Sequence, residues 1–223
     1  MSRIARIVAQ GYPHHVTQRG NYRQPVFETD GDYQQYLEWL KKYSDKYALD
    51  LWAYCLMSNH VHFICVPKKE DSLSLTFNTL HMRYAQYVNR RRKASGHLWQ
   101  GRFFSSILDE RHTYAAIRYV ENNPVRARLV NRAKDYQWSS VREHLGINSD
   151  CNITTNCFLT EEISDWAHYL DEKEDETILR DIRKETMAGR PCGDTIFIEK
   201  LEQKFGRRLQ ALPRGRPKRK GSK

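Results

Sequence analysis

Two imidazoles, a phenol and an amide carry the strongest chemical signal in this chain. His60 and His62 flank Val61 in Ser58-Asn59-His60-Val61-His62-Phe63-Ile64-Cys65-Val66, a run whose apolar and β-branched content predicts a buried strand. Side chains alternate along a strand, so both histidines point to one face. A pair of imidazoles on a rigid strand supplies two ligands of a metal site. The alternative is a polar sheet face with two hydrogen-bonded histidines. Further on, Tyr119-Val120-Glu121-Asn122-Asn123-Pro124 places Tyr119 and Asn123 four residues apart on a predicted helix, hence side by side. If that helix packs beside the sheet, the four residues offer two nitrogens, an amide oxygen and a hydroxyl, with coordination positions left open.

That set suits phosphodiester cleavage by a tyrosine nucleophile, with a divalent cation polarising the phosphate and offsetting its developing charge. A free phenol is only about 0.1% ionised at pH 7, and a nearby cation favours the ionised form. A covalent phosphotyrosine conserves the phosphodiester energy, so rejoining needs no ATP, and the sequence has no Walker-type phosphate loop. Tyr114 lies on the same predicted helix, but four residues after it comes Arg118, which cannot ligate a metal. Asn122, three residues after Tyr119, is rotated off the tyrosine's line. A core aromatic is the bland role for Tyr119.

The elements that must position these residues follow from periodicity. A strand is predicted over Tyr12–Arg19, ending in a Gly20-Asn21 turn. A helix begins near Tyr33, capped by Asp30 or Asp32, with Tyr36, Leu37, Leu40, Tyr43 and Tyr47 at helical spacing. Leu49–Met57 and His60–Val66 read as a hairpin around Ser58-Asn59. Asp71 or Ser72 caps a longer helix ending in Arg90-Arg91-Arg92-Lys93, basic residues that suit both a helix C-terminus and phosphate. Phe103–Leu108 is a fourth strand, and Thr113–Asn122 a helix stopped by Pro124. This β-α-β-β-α-β order is the ferredoxin-like split βαβ pattern. It predicts an α+β fold: an antiparallel sheet with helices on one face, the other open for ligand, and the His60–His62 strand central.

The chain has 223 residues and a net charge of +10. Residues 1–160 carry +8, residues 161–185 carry −6, residues 186–206 balance, and residues 207–223 carry +8 with no acidic residue. Both basic parts point to a polyanion, most commonly nucleic acid. From about Asn148 the texture becomes polar and then acidic. This predicts residues 1–147 as the main domain, 148–206 as a mainly helical accessory region, and 207–223 as a disordered basic tail. No apolar run approaches the ~20 residues of a membrane span, and Met1–Arg6 lacks a secretory signal's apolar core. The five cysteines form no C-x-x-C pair, which fits reduced thiols in a cytoplasmic protein.

His60-Val61-His62, then Leu98-Trp99-Gln100-Gly101-Arg102-Phe103, then Tyr119-Val120-Glu121-Asn122-Asn123-Pro124-Val125-Arg126-Ala127 resemble the single-tyrosine HUH transposases, and more closely the REP-associated tyrosine transposases. The resemblance covers roughly residues 10–145. It implies that His60, His62 and Asn123 hold a divalent metal, Mg²⁺ or Mn²⁺, and that Tyr119 is the nucleophile. Imidazole ligands suit Mn²⁺ better, while Mg²⁺ prefers oxygen. It further implies DNA transposition on single-stranded DNA bearing small hairpins, cut to leave a 5′-phosphotyrosine and a free 3′-OH. A nucleoid-associated bacterial protein, monomeric or homodimeric, is the corresponding setting.

Several residues extend the expected DNA contacts. Arg19 and Arg23 flank the first turn, where the resemblance implies recognition of a short guide stretch; ordinary surface arginines are the alternative. Trp99 beside Arg102 could stack a base and hold a phosphate, or Trp99 could fill the core. Trp138-Ser139-Ser140 reads as structural. Pro213-Arg214-Gly215-Arg216-Pro217-Lys218-Arg219-Lys220 resembles an AT-hook, in which Arg214 and Arg216 would follow the minor groove of AT-rich duplex; a generic basic tail is the plainer reading. Two function classes follow: a metal-dependent DNA strand transferase, or a transposase-derived DNA binder without catalysis. A replication-initiator or relaxase type of HUH endonuclease fits the motif order less well.

Overall fold

The computed structural model describes residues 6–147, 152–155 and 158–210. Strand β1 (His14–Arg19), helix α1 (Asp30–Lys46), strands β2 (Leu49–Met57) and β3 (His60–Pro67), helix α2 (Ser72–Arg92), strand β4 (Phe104–Ile107) and helix α3 (Glu110–Glu121) follow in the expected order. The sheet is antiparallel, ordered β2-β3-β1-β4, so β3 is central. β1 and β2 run the same way on either side of β3, which is the split βαβ arrangement.

Register fixes the two faces. Val61, Phe63 and Cys65 of β3 join Val16, Tyr54 and Leu56 in a core closed by Tyr36 and Leu40 of α1 and Phe77 and Leu80 of α2. A bulge between Leu51 and Ala53 restores the alternation of β2 across Trp52. The intervening residues His60, His62 and Ile64 therefore point to the opposite face.

Helix starts follow local hydrogen bonding. α1 starts with Thr29, not Asp30 or Asp32, at its N-cap. The Asp32 carboxylate reaches back instead, accepting from the Glu28 and Thr29 amides at 2.8 and 3.0 Å. α3 begins earlier than the sequence suggested, because Asp109 caps it by accepting from the His112 amide at 2.8 Å. α3 ends at Glu121 with Asn122 as its C-cap, where the sequence placed the stop, and Pro124 itself belongs to a separate short helix. The proline sits in the first turn of that helix, α4 (Asn123–Arg126), where its missing N–H has no partner to lose.

The second sheet face is where the structure departs from the open surface expected. α3 lays Ile117 and Val120 on Ala53, Cys55 and Ile64. After α5 (Val141–His144) and α6 (Phe158–Glu162), helices α7 (Trp166–Asp171) and α8 (Glu176–Ala188) add Trp166, Tyr169, Leu179 and Ile182 to the same core. α9 (Thr195–Phe205) packs Leu201 with Ile7, Ala9 and Ile107. The extension thus shares a core with the sheet. Among the described residues no helix is long and apolar enough to cross a membrane. The tail segment from residue 211, with Arg214 and Arg216, lies outside the described residues.

Two expected DNA contacts change here. Trp99 is 8% exposed, packs against Tyr36, His81 and Tyr84, and donates from Nε1 to the His81 carbonyl at 3.1 Å. Its faces are used by the core, so it is no base-stacking platform. At the end of α2, Arg91 pairs with Asp32 and Glu28, and Arg92 with Glu28, so these guanidiniums pin α2 to the start of α1.

Candidate active site

The turn that carries the histidines is clamped before the pocket is reached. Gly20 N donates to the Asn59 carbonyl at 2.8 Å, and a Cβ on Gly20 would meet the Gln24 carbonyl at 2.4 Å, so only glycine fits this close approach. Asn59 Nδ2 donates to the Arg23 carbonyl at 3.1 Å, which orients its amide and leaves Oδ1 2.6 Å from His60 Nδ1. An amide oxygen only accepts, so His60 carries its proton on Nδ1 and presents Nε2 to the pocket. His62 Nδ1 lies 2.9 Å from Nε2 of His15, a β1 residue on the same face. The His60 and His62 rings are 5.0 Å apart and nearly perpendicular.

Tyr119 comes to this pair from α3. Its ring centre is 5.7 Å from His62 and 6.0 Å from His15, edge-on to both. Arg126 holds it from behind: its guanidinium stacks 4.3 Å from the ring centre, donates to the Tyr119 carbonyl, and pairs with Glu174 at 2.7 Å. Arg183 of α8 lies 5.2 Å from the same ring centre. A pocket of about 400 Å³ is lined by His60, His62, Tyr119 and Asn123, with His15 and Arg183 among its other walls. The sequence-predicted set is therefore gathered in one place. Tyr114 is not in it: its hydroxyl donates to Glu162 and its ring packs on Phe158.

Burial dominates the electrostatics. It pushes His15 down to about 3 and, with Arg19 adding to it, His60 down to about 4; His62 falls well below its ordinary value for the same reason. The imidazoles are thus neutral at pH 7, the form that binds a metal. Among the described residues no cluster of three His, Cys, Asp or Glu could hold a metal ion, and both nitrogens of His15 are engaged. A third protein ligand to a metal at this histidine pair would therefore be an amide or a hydroxyl. The Asn123 side chain is buried in the pocket wall; its amide oxygen is a suitable ligand, while its Nδ2 end, which has no hydrogen-bond partner, is a donor only. Two imidazole nitrogens and an amide fit a divalent cation of the Mn²⁺ or Mg²⁺ kind.

A family model for IS200-like transposases matches residues 8–123, just over half the chain and inclusive of both histidines, Tyr119 and Asn123. The chain belongs to this family. Its fold is similar to that of a solved REP-associated tyrosine transposase bound to a REP hairpin, at 18% identity and a TM-score of 0.57, covering 70% of this chain and 99% of that one. A Deinococcus radiodurans chain crystallised as a candidate transposase is 22% identical, with a TM-score of 0.38 over 55% of this chain and 97% of that one. No curated protein matches this transposase.

The other expected contacts are scattered around the pocket. Arg19 is exposed at its rim. Arg23 is exposed in the turn beyond, next to Tyr22, which is 93% exposed at a φ of +51°. Arg102 is exposed beside Arg6 at the start of β4. Sequence reasoning missed His15, Arg126, Arg183 and Thr186. For His15 a signal existed: it alternates with Thr17 and Arg19 on β1, and so shares a face with them. For Arg183 and Thr186 nothing local marks them, because only tertiary packing brings α8 to the sheet.

Proposed function

We propose that this IS200-like transposase cleaves and rejoins single-stranded, hairpin-bearing DNA of the REP type, with Tyr119 as nucleophile. The observation that supports it most is the meeting of Tyr119 with His60, His62 and Asn123 in one pocket. A divalent cation bound by Nε2 of each histidine and the Asn123 amide would supply Lewis-acid polarisation of the scissile phosphate and offset charge in the transition state.

The chain's own groups do the rest. Tyr119 Oη attacks phosphorus and loses its proton to solvent; the bond from phosphorus to the 3′ oxygen breaks; that oxygen takes a proton and leaves as a free 3′-OH. A 5′-phosphotyrosine remains, and attack by a 3′-OH reverses the step without an external energy source. Arg126 fixes the tyrosine from its backbone side, and Arg19 at the rim offers a cation to the incoming strand. Residues 1–147 form the catalytic unit in this reading, 148–206 support it, and 207–223, through Arg214 and Arg216, add salt-dependent affinity for AT-rich duplex.

Incubation of the full chain with labelled single-stranded hairpin oligonucleotides and Mn²⁺ or Mg²⁺, followed by denaturing electrophoresis, tests this. A labelled protein band that needs the metal and vanishes in Tyr119→Phe, with hairpin binding retained, is expected. Covalent product from Tyr119→Phe would remove Tyr119 from its role. Tight binding with no covalent product under either metal would leave a DNA-binding protein without catalysis.

A further inference from the structure

Helix α8 lies beyond the segment matched by the family model, yet it contributes Arg183, Thr186 and Met187 to the wall of the catalytic pocket. One of these contacts is buried and directional. Thr186 is 1% exposed, and its Oγ1 lies 2.8 Å from His15 Nδ1. His15 is 2% exposed, and its Nε2 lies 2.9 Å from His62 Nδ1. The two rings are parallel within 2°, with centres 5.1 Å apart. Thr186, His15 and His62 thus form one chain of hydrogen bonds that starts on α8 and ends at the sheet.

The polarity of that chain follows from its far end. If His62 offers Nε2 as a ligand, its proton is on Nδ1. Nδ1–H then donates to His15 Nε2, which must be unprotonated, and His15 carries its own proton on Nδ1, facing Thr186 Oγ1. A hydroxyl is free to accept there. Each link selects one tautomer of the next, and the last link locks the ring orientation of a metal ligand.

We infer that Thr186 and His15 are positioning residues for the metal site: through them α8 fixes His62 with Nε2 toward the cation, making the C-terminal extension a working part of the catalytic centre. This rests on the metal-dependent reading above. Hydrogen-bonded partners behind ligating histidines commonly change metal affinity by about 10- to 100-fold. Thr186→Val keeps the shape and removes the acceptor; Thr186→Ser keeps the acceptor; His15→Phe keeps a ring and removes both nitrogens.

The test measures Mn²⁺ binding to the full chain without DNA, by loss of the free-ion electron paramagnetic resonance signal, alongside thermal melts of the metal-free proteins. Mn²⁺ affinity is expected to fall about tenfold or more in Thr186→Val and His15→Phe, and to stay within about twofold of the parent in Thr186→Ser. Parent binding that is lost in His60→Ala but unchanged in Thr186→Val and His15→Phe would overturn the inference alone. No Mn²⁺ bound by the parent protein would overturn it together with the metal-dependent reading. A readout independent of metal is the long-range ¹H–¹⁵N spectrum of the metal-free protein. It should show His15 and His62 both as Nδ1–H tautomers, and His62 as the Nε2–H tautomer would overturn the relay.

Discussion

Asn59 Oδ1 accepts from His60 Nδ1 at 2.6 Å, while Asn59 Nδ2 is held by the Arg23 carbonyl. The hairpin turn is therefore what sets the tautomer of the first histidine. Removing the amide frees the ring to rotate without disturbing the core. Asn59→Ala should raise the Mn²⁺ concentration needed for half-maximal cleavage by about tenfold. Asn59→Asp keeps an acceptor there and should stay near the parent value. Metal titration of single-turnover cleavage checks both, and an unchanged midpoint in Asn59→Ala would show that the turn does not orient His60.

Glu121 stands two residues after Tyr119 and has no exposure. Its Oε1 accepts from His144 Nδ1 at 2.7 Å and from Ser140 Oγ, and its Oε2 accepts from Trp166 Nε1 at 2.8 Å. Burial alone would discharge His144, but the adjacent carboxylate outweighs it and raises its pKa. One carboxylate thus ties α3 to α5 and α7. Glu121→Ala strands a buried indole N–H and a buried imidazole, at a cost of about 3 kcal/mol in urea unfolding. Asp45→Ala, which removes only the exposed i,i+4 pair with Lys41, should cost about 0.5 kcal/mol or less. Equal effects would show that the buried network contributes no more than a surface pair.

The histidine pair shows how far sequence reaches. The period of a strand is fixed by covalent geometry, so a shared face for His60 and His62 was legible from one intervening residue. The split βαβ order was legible too, but Tyr119 and Asn123 reach one pocket from two helices, because α3 ends at Glu121 and Asn123 opens α4. Register and distant packing were not legible. His15 matters because β1 pairs with β3 so that Thr17 faces His62, and Thr186 because a helix 171 residues away lands on that spot. The spacing of Leu179, Ile182 and Thr186 tells that α8 has a buried face, not what covers it. Trp99 was undecidable for the same reason: an indole can stack on a base or on Tyr36, and only the closed core says which.

Acid should destabilise the protein well above the usual carboxylate range. Burial lowers His14 and His60 to about 4, and His15 and His81 to about 3, with lesser help from Arg19 at His60 and Arg6 at His81. The unfolded chain takes up protons at these rings from about pH 6.5, while the folded chain does not. The unfolded state therefore binds more protons, and stability is complete above pH 6.5 and falls as pH drops toward 4. His144, raised by Glu121, works in the opposite direction, but in this window it regains less than one lowered ring loses. The net loss between pH 6.5 and 5.5 should be on the order of 4 kcal/mol. Urea unfolding at those two values checks it, and equal stability would show that these rings titrate normally in the folded state.

Arg183 offers the last test because its position separates chemistry from binding. It is half-exposed, its nearest ion partner Glu176 is 3.7 Å away, and its guanidinium lies 5.2 Å from the ring centre of Tyr119. A guanidinium in that place can donate to a non-bridging phosphate oxygen as negative charge develops there. It would touch one phosphate among the many held by a hairpin, so ground-state affinity should barely change. A charge-assisted hydrogen bond of about 1.5–3 kcal/mol made in the transition state corresponds to about a 10- to 100-fold loss of rate. Arg183→Gln should therefore slow formation of the covalent Tyr119 adduct by at least about tenfold in single turnover, with hairpin binding within about twofold of the parent. A parallel loss of binding and rate would instead make Arg183 a general DNA contact, and a normal rate would place it outside the reaction altogether.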